Sequence, residues 1–430
     1  MARVVIVGGG WAGSSAALAA RMAGADVVLL ERTDMLLGTG LVGGIIRNNG
    51  RWTATAEHVA MGMGELWDTI DANLRHKNIT FPGHAHADLY DVSIMEPGIK
   101  DLVLSKGVKV RTQARVTDVV RSGDQLAAVV LEDGERFEGD VFVETTGSFG
   151  PQNNCTKLGN GCAMCIMRCP TFGGRVSVAA KAGIAEQRAK RMDGSEGVMS
   201  GSCKLHFDSV SKEIQEQLRA TGVAVVPMPE ALRVAKQKQL GQKACQQYAL
   251  PEFADNIVLL DTGHVKLMTP YFPLDQLRTI PGMEKSRFED PYSGGVGNSI
   301  RYLAMSPRSD ALKVEGLDNL FCAGEKAGPL VGHTEAMMTG SLAGLNAVIW
   351  SAGKEPIVVP RSMALGDIIA AASDVLRGGD LSQKLTFSGA TYFERMKGLG
   401  LYSTDMAAVR TRVAEAGLEG VFLKGPAAAA

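Results

Sequence analysis

Two groups of residues have types and spacings that could do chemistry. Gly8-Gly9-Gly10-Trp11-Ala12-Gly13 sets three glycines in a GxGxxG pattern, with Glu31 about twenty residues on. Cys155, Cys162, Cys165 and Cys169 follow the spacing C-x6-C-x2-C-x3-C, with Pro170 after them. The glycines suit a pyrophosphate. Gly8 permits a tight turn, Gly10 lets the backbone approach the phosphates, and Gly13 lets a helix pack closely on a strand. The N-terminus of that helix presents its positive end to the anion. Glu31 would accept hydrogen bonds from the adenosine ribose hydroxyls. An acid there disfavours a 2′-phosphate, so the pattern points to FAD or NAD rather than NADP.

The cysteines admit several readings. Short spacings return each sulfur to a common centre, and Gly159 and Gly161 let the loop bend. The C-x2-C and C-x3-C-P pieces are similar to the end of a bacterial ferredoxin run, which favours a [4Fe–4S] cluster. A four-thiolate zinc, a redox-active Cys162/Cys165 pair and plain buried thiols are the alternatives. Cys203 and Cys245 stand alone, and Cys322 reads as packing at a strand end.

Lesser candidates stand beside these. Ala231 to Gln247 carries Arg233, Lys236, Lys238 and Lys243 without an acid. Such a face could meet RNA phosphates or an acidic redox partner, or simply be solvated. His84 and His86 are two apart, which on a strand puts both on one face and could bind a metal, though a polar loop before an active-site crevice is the favoured reading. Arg301 and Arg308 could each orient an anionic substrate or pair with surface acids.

These residues need elements to hold them. Arg3 to Val7 is a continuous β-branched run, as in a buried parallel strand. An alanine-rich helix from Ser14 to Ala23 and a strand from Ala25 to Leu30 complete a βαβ unit, the context that makes a GxGxxG informative. Gly107 to Val120 reads as a strand-pair region, and Leu126 to Leu131 and Asp140 to Val143 continue a sheet, with the turn Glu132-Asp133-Gly134 between them. Asn319 to Cys322 gives one more strand, and a helix follows from about His333 to Trp350. The fold class is therefore α/β, a discontinuous Rossmann-like domain from residues 1–150 and 311–355. Residues 151–310 form an inserted cysteine-rich α+β region for substrate or partner, and 356–430 a helical tail. Gly294-Gly295-Val296-Gly297 lacks the third glycine and a preceding strand, so a separate nicotinamide domain is not expected.

Composition narrows the function classes. Hydrophobic residues make up 45% and charged residues 21%, which excludes a disordered chain. Glycine, at 51 of 430 residues, is about 12% against a usual ~7%. With 45 basic and 46 acidic residues, the charge balance argues against nucleic acid as the main partner and leaves room for a local basic patch. No apolar run is long enough to span a membrane, and no export signal stands out, so a cytoplasmic location is expected.

The opening βαβ unit, the Thr145-Thr146-Gly147 turn and the stretch "LFCAGEKAGPLVGHTEAMMTGSLAGLNAV" resemble FAD proteins of the glutathione-reductase type. More narrowly, the chain resembles the glucose-inhibited division protein A family of tRNA-uridine-modifying flavoproteins and their folate-dependent methyltransferase relatives. The resemblance implies that Gly8, Gly10, Gly13, Glu31 and Arg32 hold the ADP half of FAD, with Val116 near adenine. Thr146 and Gly147 would line the cofactor, Gly324 and Glu325 would meet its ribityl-pyrophosphate, and Gly40 lies in a glycine loop near the flavin. The helix beginning near His333 would place positive charge by the flavin N1–C2 edge, and His333 could add charge or a proton, or merely pack there. Cys169 matches one functional cysteine of the tRNA-modifying relatives. The loop from Gly38 to Gly44 lacks the other. The expected function is an FAD-dependent oxidoreductase whose flavin exchanges electrons with a [4Fe–4S] cluster, acting on a small molecule or a redox-carrier protein. The alternative is an RNA-uridine-modifying enzyme that uses FAD with a reduced folate or nicotinamide donor and takes tRNA as partner.

Overall fold

In a computed structural model of the chain, residues 1–148, 169–199, 202–233, 250–269, 272–289 and 300–428 are described. Cys155, Cys162 and Cys165, the proposed metal ligands other than Cys169, lie outside them, as does most of the basic stretch 231–247.

The centre is a parallel sheet, five-stranded among the described residues. Its strands run in the order Leu320–Cys322, Val141–Glu144, Arg3–Val7, Asp26–Leu30, Lys109–Arg111. Val4 lies opposite Val141 on one side and Val27 on the other. Val4, Val5, Ile6, Val27, Leu29, Val141, Phe142 and Val143 are wholly buried. This is why these strands read as continuous apolar runs: both faces of the sheet are covered. The chain leaves Arg3–Val7 to either side, so a crevice opens at the carboxyl ends of the central strands, where α/β folds bind ligands.

One face is covered by the helices Trp11–Met22 and His333–Ser351, which pack backbone to backbone. A Cβ on Gly340 would come within 2.2 Å of the Ala12 carbonyl oxygen, and one on Gly344 within 2.2 Å of that of Ala16. The alanine-rich first helix and the glycines of the later one are therefore two halves of a single contact.

Leu126 to Leu131 does not continue the parallel sheet. The strands Val116–Ser122, Gln125–Leu131 and Arg136–Glu138 form a separate antiparallel sheet. The cause is local. Gly123 and Gly134 take left-handed φ values of 62° and 90° in tight turns, and such turns join antiparallel neighbours. A parallel partner needs a long crossover.

The inserted region carries a four-stranded antiparallel sheet in the order Cys203–Leu205, Val265–Leu267, Asn256–Asp261, Val223–Pro227. One of its faces packs into its own core with Ile257, Leu259, Val265 and Leu267. The other, with Val223, Val258, Leu260 and Met268, packs on Ile45, Ala87 and Leu89 of the sheet formed by Ile45–Arg47, Leu74–Phe81 and His84–Tyr90. Toward the C-terminus run the helices Ala364–Gly378, Ala390–Gly398 and Met406–Glu415. Among the described residues, no helix is long and apolar enough to cross a membrane.

Candidate functional site

The candidate site lies at the carboxyl ends of the parallel strands. Gly8 follows the first strand with φ 105°, and a Cβ there would stand 2.5 Å from the Thr145 carbonyl oxygen. A Cβ on Gly13 would stand 1.8 Å from the Gly8 carbonyl oxygen, so only glycine lets the helix sit this close. Gly10 differs. Among the described residues, a Cβ there meets nothing nearer than the Leu37 carbonyl oxygen, at 4.0 Å. Room is thus left at the start of the helix Trp11–Met22, whose N-terminus has no side-chain cap. An open approach beside uncapped amides fits a pyrophosphate.

Glu31 ends the second strand and is buried. Its Oε2 accepts from the Gly9 amide at 2.7 Å and its Oε1 from the Thr33 amide at 2.8 Å. Each oxygen keeps a second lone pair for a ribose hydroxyl. Arg32 Nη1 donates to the Gly173 carbonyl at 2.6 Å, and Arg115, just before buried Val116, donates from Nε to the Gly174 carbonyl at 2.9 Å. The segment from Cys169 to Arg175 is thereby held at the adenosine end of the crevice. Cys169 is buried there. Burial pushes its thiol pKa up, against the opposing pull of Arg32 and Arg115. That is the setting of a packed thiol more than of a ready nucleophile.

Thr146 and Gly147 leave the strand Val141–Glu144. The Thr146 hydroxyl donates to Glu144 Oε1 at 2.7 Å and accepts from Arg175 Nε at 3.1 Å. Gly147 has φ 68°, and among the described residues nothing lies within 4 Å of where a Cβ would be. Gly324 has φ 62°, and its amide donates to the Thr339 hydroxyl at 3.0 Å. Glu325 follows it, partly exposed.

His333 is the first residue of the 19-residue helix His333–Ser351. Its ring lies 6.0 Å from both the Trp11 and Tyr90 rings, centroid to centroid. A Cβ on Gly43 would fall 1.8 Å from His333 Cε1. Tyr90 donates its hydroxyl to the Gly40 carbonyl at 2.5 Å. Gly40 and His333, far apart in sequence, thus share one aromatic-walled corner.

Three residues the sequence did not single out sit in the same crevice. Glu144 and Lys326 are wholly buried and Arg175 nearly so. Lys326 Nζ lies 3.5 Å from Glu144 Oε1, donates to the Ser177 hydroxyl at 3.0 Å and pairs with Glu186. Arg175 Nη2 is 3.8 Å from Glu144. Burial raises the Glu144 pKa, but Lys326, Arg175 and the Ala179 amide outweigh it and hold the carboxyl below its usual range. The fourth residue missed is Lys266, whose ammonium reaches the glycine loop and donates to the Val42 carbonyl at 3.0 Å.

Other candidates fall away. His84 is buried beside Asn48 and Phe81, whereas His86 has φ 54° and stacks on Trp52. Register shifts along that hairpin separate the two rings, so they share no face. Arg308 is buried and donates to Ala327, Ile369 and Ser373, a structural role. Cys322 is buried at its strand end, which pushes its thiol up to about 12. Among the described residues no group of three His, Cys, Asp or Glu side chains could hold a metal ion.

Comparison with known proteins adds to this geometry. A family model described as glucose inhibited division protein A matches residues 3–248 and 259–355. The tRNA uridine 5-carboxymethylaminomethyl modification enzyme MnmG of Syntrophotalea carbinolica is 24% identical, over 84% of this chain and 64% of its own length. The MnmG of Salinibacter ruber is 25% identical, over 86% and 63%. The chain therefore spans less than two thirds of these relatives. The crystal structure of Aquifex aeolicus GidA (form II) superposes with a TM-score of 0.63 at 16% identity, covering 96% of this chain and 76% of that one. At that identity the likeness is one of fold.

Proposed function

The chain belongs to the glucose inhibited division protein A family, and from that premise we propose that it is an FAD-dependent enzyme modifying a uridine of tRNA. The substrate follows the names of the curated relatives. The cofactor is supported by the crevice itself, and above all by Gly10, where a missing side chain leaves open room before uncapped helix amides. This moves the weight from a cluster-based oxidoreductase to the RNA-modifying alternative. The even charge of the chain opposed RNA only as a whole-chain sum, which leaves a local basic surface open.

In this reading Gly8, Gly10 and Gly13 shape the pyrophosphate site, and Glu31 takes the adenosine ribose with Val116 near the base. Arg32, tied to Gly173, closes that end rather than reaching for a 2′-phosphate. Thr146, Gly147, Gly324 and Glu325 line the middle, and Gly40 lies beside the ring system. FAD supplies two-electron redox chemistry when bound. His333, on the positive end of its helix, holds charge or a proton at that corner, and Trp11 and Tyr90 keep water from it. A reduced folate or nicotinamide would be the donor. The Gly38–Gly44 turn has no cysteine, so the uridine chemistry draws no thiolate from it.

The test uses the purified chain with FAD and unmodified tRNA transcripts. We expect tight binding at physiological salt and a mass change at uridine once a donor is added. Absence of both overturns the substrate assignment. The C-x6-C-x2-C-x3-C spacing favours a second reading, a [4Fe–4S] cluster exchanging electrons with the flavin. Anaerobic protein would then hold about four irons and four sulfides per chain, lost in Cys162→Ser with FAD retained. Iron-free protein discards it.

A further inference from the structure

Lys266 stands where its strand offers no reason for a charge. Val265 and Leu267 point into the insert's own core. By the two-residue period of a strand, Lys266 points to the opposite face, the one that carries Val258, Leu260 and Met268 and packs on Ile45 and Leu89. Lys266 is only 7% exposed. A leucine or methionine would cover such a face without the cost of stripping water from an ammonium. The ammonium instead crosses to the FAD-binding half. It donates to the Val42 carbonyl at 3.0 Å and to the Ser202 hydroxyl at 2.7 Å.

Val42 belongs to the turn that also holds Gly40 and Gly43. On one side the turn meets His333, through Gly43, and Tyr90, through Gly40. On the other it meets the insert: a Cβ on Gly44 would lie 2.4 Å from Thr262 Cγ2. Lys266 is thus a buried cation from the insert placed against the same turn that His333 faces. Buried charges bound to a ligand-site loop are candidates for function on physical grounds.

We propose that Lys266 is a positioning residue of the flavin site, fixing the Gly38–Gly44 turn through Val42 and lending positive charge that favours the reduced, anionic ring. The proposal rests on the flavin reading above and goes beyond it in making the insert a determinant of flavin potential. A merely structural lysine would act as a tether only. Three variants separate the roles. Lys266→Gln keeps a donor for Val42 and loses the charge, Lys266→Met loses both, and Lys266→Arg keeps both.

Each FAD-loaded protein is titrated for its midpoint potential at fixed pH, with bound FAD counted by absorbance. Were the ammonium to stand about 10 Å from the ring, at an effective dielectric of about 20 it would shift the equilibrium by about tenfold. For two electrons that is about 30 mV. We expect Lys266→Gln and Lys266→Met to move the potential negative by at least this much, and Lys266→Arg to stay near wild type. If Lys266→Gln binds FAD at the wild-type potential, the charge assignment is overturned, whatever becomes of Lys266→Met. If the wild-type chain takes up no FAD, the flavin reading fails and this proposal with it.

Discussion

Gly10 and Gly13 stand three residues apart in one motif, yet their substitution should damage different things. A Cβ on Gly13 would lie 1.8 Å from the Gly8 carbonyl oxygen and 2.7 Å from Thr145 Oγ1. Ordinary contact starts near 3.4 Å, so the helix must retreat by more than an ångström from a backbone atom that cannot rotate away. Overpacking typically costs ~1–3 kcal/mol, and a rigid obstacle puts Gly13→Ala near the top of that range. Gly10 has φ −63° and ψ −176°, an extended backbone that valine accepts, and among the described residues no atom lies nearer than 4.0 Å to its Cβ position. Gly10→Val should cost the unliganded fold no more than about 1 kcal/mol, as a poorer residue at a helix start. It should lose instead the stabilisation by cofactor, about 2.7 kcal/mol when FAD is at 100 times its Kd. Denaturant unfolding with and without FAD reads both numbers. Gly10→Val should unfold like wild type without FAD and gain nothing from its addition. Gly13→Ala should be destabilised in either condition. A Gly10→Val protein with full flavin absorbance and the wild-type gain would refute the reasoning about the pyrophosphate approach. A Gly13→Ala protein as stable as wild type would refute the reasoning about packing.

Other outcomes follow from the buried charges. Lys326→Met leaves Glu144 and Glu186 without their shared cation and should cost about 3–5 kcal/mol in denaturant unfolding; a change under about 1 kcal/mol would show the cluster to be relaxed by other means. Glu57 is wholly buried, caps the helix Ala364–Gly378 through the Ala364 and Leu365 amides, and lies 3.6 Å from Arg412. Burial raises its pKa from 4.5 to about 7. The folded state then holds a proton that the unfolded chain releases, so the contribution of Glu57 to stability is full below 4.5 and declines as pH rises to about 7. Relative to Glu57→Gln, wild type should therefore lose on the order of 3 kcal/mol across that window. Parallel pH profiles for the two proteins would contradict it.

The dinucleotide half was legible because its signals are local. The β-branched run Arg3–Val7, the three glycines and Glu31 each constrain their own neighbourhood, and all point to one unit. Leu126 to Leu131 shows the limit. Its apolar run with two valines marks a strand but does not name the partner, and the glycine turns on either side chose antiparallel neighbours. Lys266 was hidden for a related reason. A lysine between Val265 and Leu267 reads as the solvent side of a half-buried strand, and only the second buried face of that sheet shows otherwise. Glu144, Arg175 and Lys326 look like ordinary surface charges until three distant segments meet. His84 and His86 mislead in the opposite direction, since their spacing assumes a regular strand and the positive φ of His86 breaks it.

The seam between Trp11–Met22 and His333–Ser351 bears on the order of events in the cell. Gly340 and Gly344 are seated on the backbone of Ala12 and Ala16, so the first helix has no finished surface to rest on until the later one exists. At about 5–20 residues per second, the intervening ~300 residues take the ribosome roughly 15–60 s. The strand Leu320–Cys322, which completes the cofactor's side of the sheet, is made only just before that helix. The strand Arg3–Val7 has both its neighbours, Asp26–Leu30 and Val141–Glu144, before the insert is synthesised, but the helix Trp11–Met22 must wait with the face that meets Gly340 and Gly344 uncovered. Cofactor loading is then a late event that closes the assembly rather than one that seeds it.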